Sequence, residues 1–422
     1  MLDTPTTELE AEVAAIPLED INVARPRLYR DDEIWPYFAR LRREAPVHYC
    51  KESRVGPFWS VTTFDLIMAV DTNHEDFSSA AERGGIGLVD FRSGGERGGS
   101  SFITQDPPEH GPNRRTVQPI VGPRNLAKME DLIRERTARV LDDLPRGEVF
   151  DWVPRVSIEL TTLMLATLFD FPIEERGKLT RWSDVFTSQR GTKLFGGGVL
   201  ESEDQRRAEM MECVDYFSTL WDTRAGAEPA FDLVSMLAHG DATKDMSRMD
   251  LLAYLGLLIV GGNDTTRNTM SASIYALNRF RDQYDKLRAD PGLIESMVSE
   301  TIRWQTPLAH MRRTAVRDVE LGGQTIREGD KVVMWYISGN RDETVFDRPN
   351  DYIIDRPNPR RHLSFGFGIH RCVGNRLAEL QLRVLWEEIL KRFDRIETVG
   401  EPTRIYSNFV HGYEALPVRI GA

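Results

Sequence analysis

Apolar residues recur at three- and four-residue spacings over 125–143, 155–169, 203–222, 250–281, 293–305 and 374–393, the period of helices that bury one face. Ser247 and Asp250 stand at the head of the longest of these runs as a capping-box-like pair. Strand-like alternation is confined to 47–63, 311–335 and 404–420, and VELGGQTIREGDKVVMW (319–335) reads as a hairpin. The pattern predicts a mainly α, α+β fold. No repeat and no linker interrupts it after about residue 20, so residues 21–422 are expected to form one domain behind a flexible 1–20 segment. Two glycine-rich stretches, 84–99 and 191–198, read as mobile surface loops, and Thr187–Glu203 as part of a lid.

Charge narrows the function classes. The net charge is −12, with 66 acidic against 54 basic residues, so a nucleic-acid partner is not expected. The longest apolar run, Leu251 to Val260, falls short of the roughly twenty residues that span a bilayer. The first residues are acidic and lack the basic flank of a signal peptide, so the protein is expected in the cytoplasm. Three cysteines, at 50, 213 and 372, make no disulfide framework.

The chemistry concentrates in HLSFGFGIHRCVG (362–374), which leads into a helical pattern. Cys372 falls at the start of that helix, where backbone N–H groups and the helix dipole favour a thiolate. Gly366, Gly368 and Gly374 permit a tight turn and the close approach of a flat ligand beside Phe365. A dinucleotide site would need a third glycine at the proper spacing. Zinc would need about four ligands where Cys372, His370 and His362 offer three. A buried structural cysteine would explain neither the glycines nor Phe365. A second motif, GGNDTT (261–266), lies in the middle of the longest helical run. Two glycines there are costly, but they leave room for a ligand against the helix, and a Thr hydroxyl bonded to its own backbone can open a local bulge. A third, ETIR, sets Glu300 and Arg303 on one helix face.

FGFGIHRCVG resembles the cysteine-ligand loop of the cytochrome P450 family, and GGNDTT, ETIR and DPPEHGPNRR (106–115) follow the family's order and spacing over most of the chain. The resemblance implies a P450-type helical fold with small sheets, with haem b (iron protoporphyrin IX) between the long central helix and the cysteine loop. It makes Cys372 the axial thiolate ligand, with O2 as co-substrate handled by Thr265 and supplied with protons by Asp264. Glu300 and Arg303 would form a buried structural network with Arg356. His110 and Arg114 would hold one haem propionate, which suits the chemistry of Arg, and Arg313 and His362 the other. Gly111 and Pro112 are unusual in that motif, and the helix is expected to begin at Pro112.

The cores LGLLIVGGNDTTRNTMS and HLSFGFGIHRCVGNRLAELQLRVLWEE are similar to those of bacterial alkane and fatty-acid terminal (omega) hydroxylases. That implies hydroxylation at the end of a small, apolar, linear, medium-length substrate. By the same resemblance Leu257, Gly261, Leu308, Ile86, Leu88, Val89, Phe102, Phe409 and Val410 line the substrate pocket. Three cysteines cannot supply an iron–sulfur cluster as well as a haem ligand, so electrons must come from another protein, which the resemblance implies is a separate ferredoxin served by a ferredoxin reductase. Arg360, Arg361, Arg371, Arg376 and Arg383 gather near the cysteine loop as a basic patch for such a donor. The protein is expected to be a monomer. A peroxide-driven haem-thiolate peroxygenase and a non-catalytic haem sensor are the rival readings. The acid-alcohol pair Asp264 and Thr265 argues against both.

Overall fold

Ser247 Oγ accepts from Asp250 N at 3.1 Å, and the Asp250 carboxylate accepts in return from Ser247 N at 3.2 Å. This capping box opens the central helix, Arg248–Arg279, about 48 Å long at 1.5 Å per residue. The computed structural model describes residues 6–90, 99–187 and 191–421. From Thr266 to Leu277 every residue of this helix is buried, so its polar side chains must find partners inside the protein. They do. Asn268 donates to Asp264 O and accepts from Tyr413 N, Ser271 pairs with Ser157, and Ser273 accepts from Trp386 Nε1.

The helical periods identify Pro123–Asp142, Glu203–Ala225, Ile294–Gln305 and the cysteine helix Asn375–Arg392. The 155–169 segment differs at its start. Val153–Ile158 is a π turn with Pro154 in its first turn, and the α-helix follows as Glu159–Phe169. Both pack on the central helix, and the cysteine helix packs on Pro123–Asp142 and Ile294–Gln305.

The strand signals form a five-stranded sheet of β1 (Val47–Cys50), β2 (Phe58–Val61), β3 (Phe77–Ser78), β4 (Met311–Ala315) and β5 (Lys331–Met334), in the order β1-β2-β5-β4-β3. The hairpin is present as Val319–Leu321 against Gln324–Ile326. Short pairings close the C-terminal region. No helix among the described residues is long and apolar enough to cross a membrane.

Two expectations change. Of the first twenty residues, expected to be loose, 1–5 lie outside the described residues, but Thr6–Ala15 is helical. Val13 is buried and its carbonyl accepts from Arg40, which ties the helix to the body. The propionate-motif helix begins at His110 rather than Pro112, because His110 N donates to Asp106 O and proline is tolerated in a first turn.

Glu300 and Arg303 form a bidentate pair at 2.7 and 2.8 Å, and Arg356 Nε reaches the same carboxylate at 3.2 Å. All three side chains are almost wholly enclosed. The remaining guanidinium hydrogens go to the carbonyls of Asn340, Pro349 and Asp351, which fixes the approach to the cysteine loop. Removing one member leaves a buried charge unpaired. Arg303→Ala is therefore expected to cost about 3–5 kcal/mol in denaturant unfolding, whereas Glu135→Ala, which breaks an exposed pair with Arg139, should cost under about 1 kcal/mol.

Candidate active site

The cysteine loop closes on itself through Cys372 N to Phe365 O and Gly366 N to Leu363 O, both 2.7 Å. Gly366 and Gly368 sit at φ +64°, a conformation that L side chains rarely adopt. A Cβ on Gly368 would lie 2.5 Å from the Asp71 carbonyl oxygen, so the loop is pressed against that residue. Asp71 in turn accepts from Phe367 N at 2.7 Å, Arg313 at 2.8 Å and the Tyr336 hydroxyl at 2.9 Å. Burial pushes the Asp71 carboxyl up, and the Arg313 charge opposes it.

Cys372 is deep in the fold, yet its surface is open because it faces a cavity. Burial pushes its thiol up, while the Gly374 and Asn375 N–H groups and the charges of Arg114 and Arg371 favour the thiolate. The cavity encloses about 1480 Å³ of atom-free space, counting its opening to solvent. Cys372, Phe365, Gly366 and Gly374 form one wall, and Gly261 and Thr265 of the central helix lie on it as well. The walls are predominantly apolar.

Of the groups expected at a haem edge, Arg114 and Arg313 line this cavity. Arg114 also donates to the Arg371 carbonyl, and Arg313 is already held by Asp71 and by the Arg312 carbonyl. His110 is buried beside the wall, its ring 4.5 Å from His370. His362 is misplaced in the sequence reading. It lines a groove on the other side of the cysteine loop, with Arg360, Arg371, Arg376 and Glu379, and not the cavity. The histidine that does reach the cavity is His370, held by Ser79 at 2.8 Å. Burial drops its pKa to about 2. Its position two residues before Cys372 was the available signal. His110 Nε2 and His370 Nδ1 are buried without a hydrogen-bond partner among the described residues. These imidazoles, the adjacent Arg114 and the open thiol fit a flat haem with carboxylate substituents. Among the described residues no three His, Cys, Asp or Glu side chains converge as an ordinary metal site would require.

The central helix divides its chemistry between two sides. Thr265 lies on the cavity wall and its hydroxyl donates to Gly261 O at 2.9 Å. The expected bulge is absent, and the helix is continuous α there. Asp264 does not line the cavity. It is wholly buried, 2.7 Å from Arg267, and accepts from Thr187 at 3.1 Å. Arg267 also contacts Asp184 at 3.3 Å, and Asp184 accepts from Phe195 N at 2.9 Å. Burial pushes the Asp264 carboxyl up, Arg267 lowers it and Asp184 raises it again. Nothing in the sequence reading singled out Asp184 or Arg267.

Among the expected pocket residues, Phe102, Leu257, Gly261 and Leu308 line the cavity. Ile86, Leu88, Val89, Phe409 and Val410 do not. Ile86 O accepts from Arg312 N on the far side of β4, Leu88 is buried in a separate N-terminal core, and Val89 is 68% exposed. Phe409 and Val410 pair with the backbone of Ala309 and Leu308 outside the wall. Of the lid segment, 188–190 lie outside the described residues, as do 91–98 of the other glycine-rich stretch. Lys193 and Val199 bridge as a small turn, and Arg181 donates to the Gly197 carbonyl.

Residues 220–411 match the family described as Cytochrome P450. Linalool 8-monooxygenase of Pseudomonas putida is 36% identical over 408 residues, covering 95% of this chain and 99% of that protein. Methyl-branched lipid omega-hydroxylase of Mycobacterium tuberculosis is 29% identical over 96% of this chain and 95% of that protein. The solved structure of CYP153D17 from Sphingomonas sp. PAMC 26605 is 52% identical, covers 95% of this chain and 99% of its own, and superposes with a TM-score of 0.87.

The two central-helix glycines have separate reasons. A Cβ on Gly261 meets nothing within 4 Å, whereas one on Gly262 would lie 2.8 Å from the Leu165 side chain. Gly261→Ala is accordingly expected to stabilise the fold by about 0.5–1 kcal/mol while narrowing the cavity. Gly262→Ala should lose that gain because buried Leu165 must move. Paired thermal unfolding curves distinguish the two.

Proposed function

The chain belongs to the cytochrome P450 family and is a haem-thiolate monooxygenase, and on that premise we propose that it hydroxylates the terminal carbon of linear, medium-length apolar substrates, alkanes or fatty acids. The observation that carries the chemistry is Cys372, open to an apolar cavity that Gly261 and Thr265 also line. Haem b, when bound, supplies the iron at which O2 is activated so that one oxygen atom enters a C–H bond and the other leaves as water.

The chain's own residues hold and feed that reaction. The Cys372 sulfur would hold the haem iron, and the Gly374 and Asn375 N–H groups would support its negative charge. Arg114, His110 and His370 would anchor the propionates, and Arg313, held by Asp71, would stand beside them. Asp264, whose carboxyl burial pushes up while the Arg267 charge pulls it down, is the buried acid behind the cavity wall that would relay protons. Thr265 presents its hydroxyl inside the cavity as the last donor.

Terminal selectivity rests on shape. The stronger C–H bonds of a methyl react only where the weaker interior ones are withheld, and Phe102, Leu257 and Leu308 restrict the apolar space near Gly261. The omega-hydroxylase among the relatives supports the same regiochemistry. Electrons arrive at the groove behind the cysteine loop. There Arg360 is paired with Glu379 and Arg383 with Glu130, while Arg371 and Arg376 stand exposed without a carboxylate partner among the described residues. A separate acidic ferredoxin, itself served by a reductase, fits that surface.

Product analysis with linear alkanes and fatty acids tests the regiochemistry, and exclusively interior alcohols would refute it. The reduced protein under carbon monoxide is expected to show a thiolate-type haem spectrum that disappears in Cys372→Ala. Asp264→Asn should lower kcat by about 100-fold or more with substrate affinity nearly unchanged. Thr265→Ala should lower the product formed per O2 consumed. Equal coupling in both variants and the parent would remove these residues from proton supply.

A further inference from the structure

Gln381 of the cysteine helix, Thr266 of the central helix and Thr137 of Pro123–Asp142 take no part in the chemistry above. They are 4%, 4% and 2% exposed, and none of their side chains hydrogen-bonds to a described residue. Nearby hydroxyls are better provided for, Thr265 donating to Gly261 O, Thr269 to Thr265 O and Thr161 to Asn263. Each of the three unpaired groups belongs to a cavity wall. Thr266 lines the main cavity, Thr137 a second, smaller cavity, and Gln381 both. The small cavity leaves about 10 Å³ for the centres of water molecules, which is near the room that one water needs.

The polar groups follow one course around the central helix. A helix turns about 100° per residue, so Thr265, Thr269, Thr266 and Met270 succeed one another around the axis in steps of about 40–60°. The first three line the main cavity and the fourth the small one, whose wall on Pro123–Asp142 includes half-buried Arg136. Thr266, two residues after Asp264, lies on the opposite side of the helix from it. Left dry, a buried amide and two buried hydroxyls are costly, and leucine or valine would fill the same places without that cost. We propose that Gln381, Thr266 and Thr137 hold a short file of buried waters that runs from the side of Arg136 to Thr265 and brings solvent protons there independently of Asp264. This rests on the reading of Thr265 as the last donor and gives that donor a second source.

The chemistry of the three groups selects water. It donates to the Gln381 carbonyl oxygen, accepts from the Gln381 NH2 and does either with a threonine hydroxyl. The space beside Thr137 admits nothing larger. Arg136 is already engaged, donating to Leu163 O and Thr167. In each transfer a water gives one proton to its inner neighbour and takes one from its outer neighbour, while the Gln381 amide keeps its own protons and only orients the waters. The net result is one solvent proton passed to the Thr265 hydroxyl, which hands one on toward the water that leaves with the second oxygen atom. The electrons for that water come from the redox partner.

High-resolution crystal structures of the haem-loaded parent and of Gln381→Leu test the file directly, read together with rates of product formation in H2O and in D2O. In the parent, ordered waters are expected within hydrogen-bond distance of Gln381, Thr266 and Thr137 and of one another. Gln381→Leu should lose the waters beside it and raise the ratio of the rates in H2O and D2O about two-fold or more. Combined with Asp264→Asn, it should form product about ten-fold or more slowly than Asp264→Asn alone. Gln381→Glu, which keeps an oxygen for the water, should recover part of the loss. Dry cavities in the parent, a gap in the file longer than a hydrogen bond, or an unchanged H2O/D2O ratio in Gln381→Leu would overturn the proposal. Should Gln381→Leu not fold, Thr137→Val, which removes one hydroxyl from the small cavity, carries the same comparison. If Thr265→Ala leaves the product formed per O2 unchanged, the reading of Thr265 falls and the file falls with it. An impaired Thr265→Ala beside an unaltered Gln381→Leu removes the file alone.

Discussion

Asp71 joins parts of the chain that are remote in sequence. Its carboxylate accepts from the cysteine loop at Phe367 N, from β4 through Arg313 and from Tyr336, just beyond β5. The loop can approach this closely only because Gly368 has no Cβ. The position of the thiol therefore depends on a carboxylate far from it in sequence. A buried charge is expensive, and this one is tolerated because an arginine and two further donors answer it. The same contacts that hold the sulfur hold Arg313 at the cavity edge, so the metal ligand and the edge of the haem site share one support.

The opposite wall solves a different problem. A helix buried on all sides carries Asn263, Asp264, Thr266, Arg267, Asn268 and Thr269 in succession. Each successive residue turns about 100° around the axis, so neighbours face different surroundings. Thr265 turns to the cavity and Asp264 to Arg267 and Thr187. A buried carboxyl turned away from the cavity and an alcohol turned toward it can thus be adjacent in sequence. Gly261 and Gly262 repeat the division, one leaving space for a ligand and the other for Leu165.

Much of this was legible in the chain. Helical periods, the capping box and the hairpin depend on local spacing, and they located the central and cysteine helices to within a few residues. Glu300, Arg303 and Arg356 could be grouped only through the family resemblance, and the structure brings them together. What escaped was decided by tertiary packing. Asp71 and Asp184 carry no local pattern. The family resemblance points to His362 for a propionate, yet His370 is the histidine at the cavity, because the turn Gly368–His370 sends the nearer residue inward. Ile86, Leu88 and Val89 have the composition of a pocket wall, but Arg312 of β4 binds the Ile86 carbonyl, Lys331 of β5 binds the Leu88 carbonyl and Val89 is exposed.

Asp184 shares its two oxygens between Arg267 in the interior and the backbone of Phe195 in a glycine-rich surface turn. An anion that gives up one donor becomes a stronger partner for the other, since less of its charge is neutralised locally. Arg267 would then be drawn toward Asp184 and would do less to hold Asp264 ionised. A turn at the protein's surface and the buried acid of its central helix are in this way joined through a single shared carboxylate.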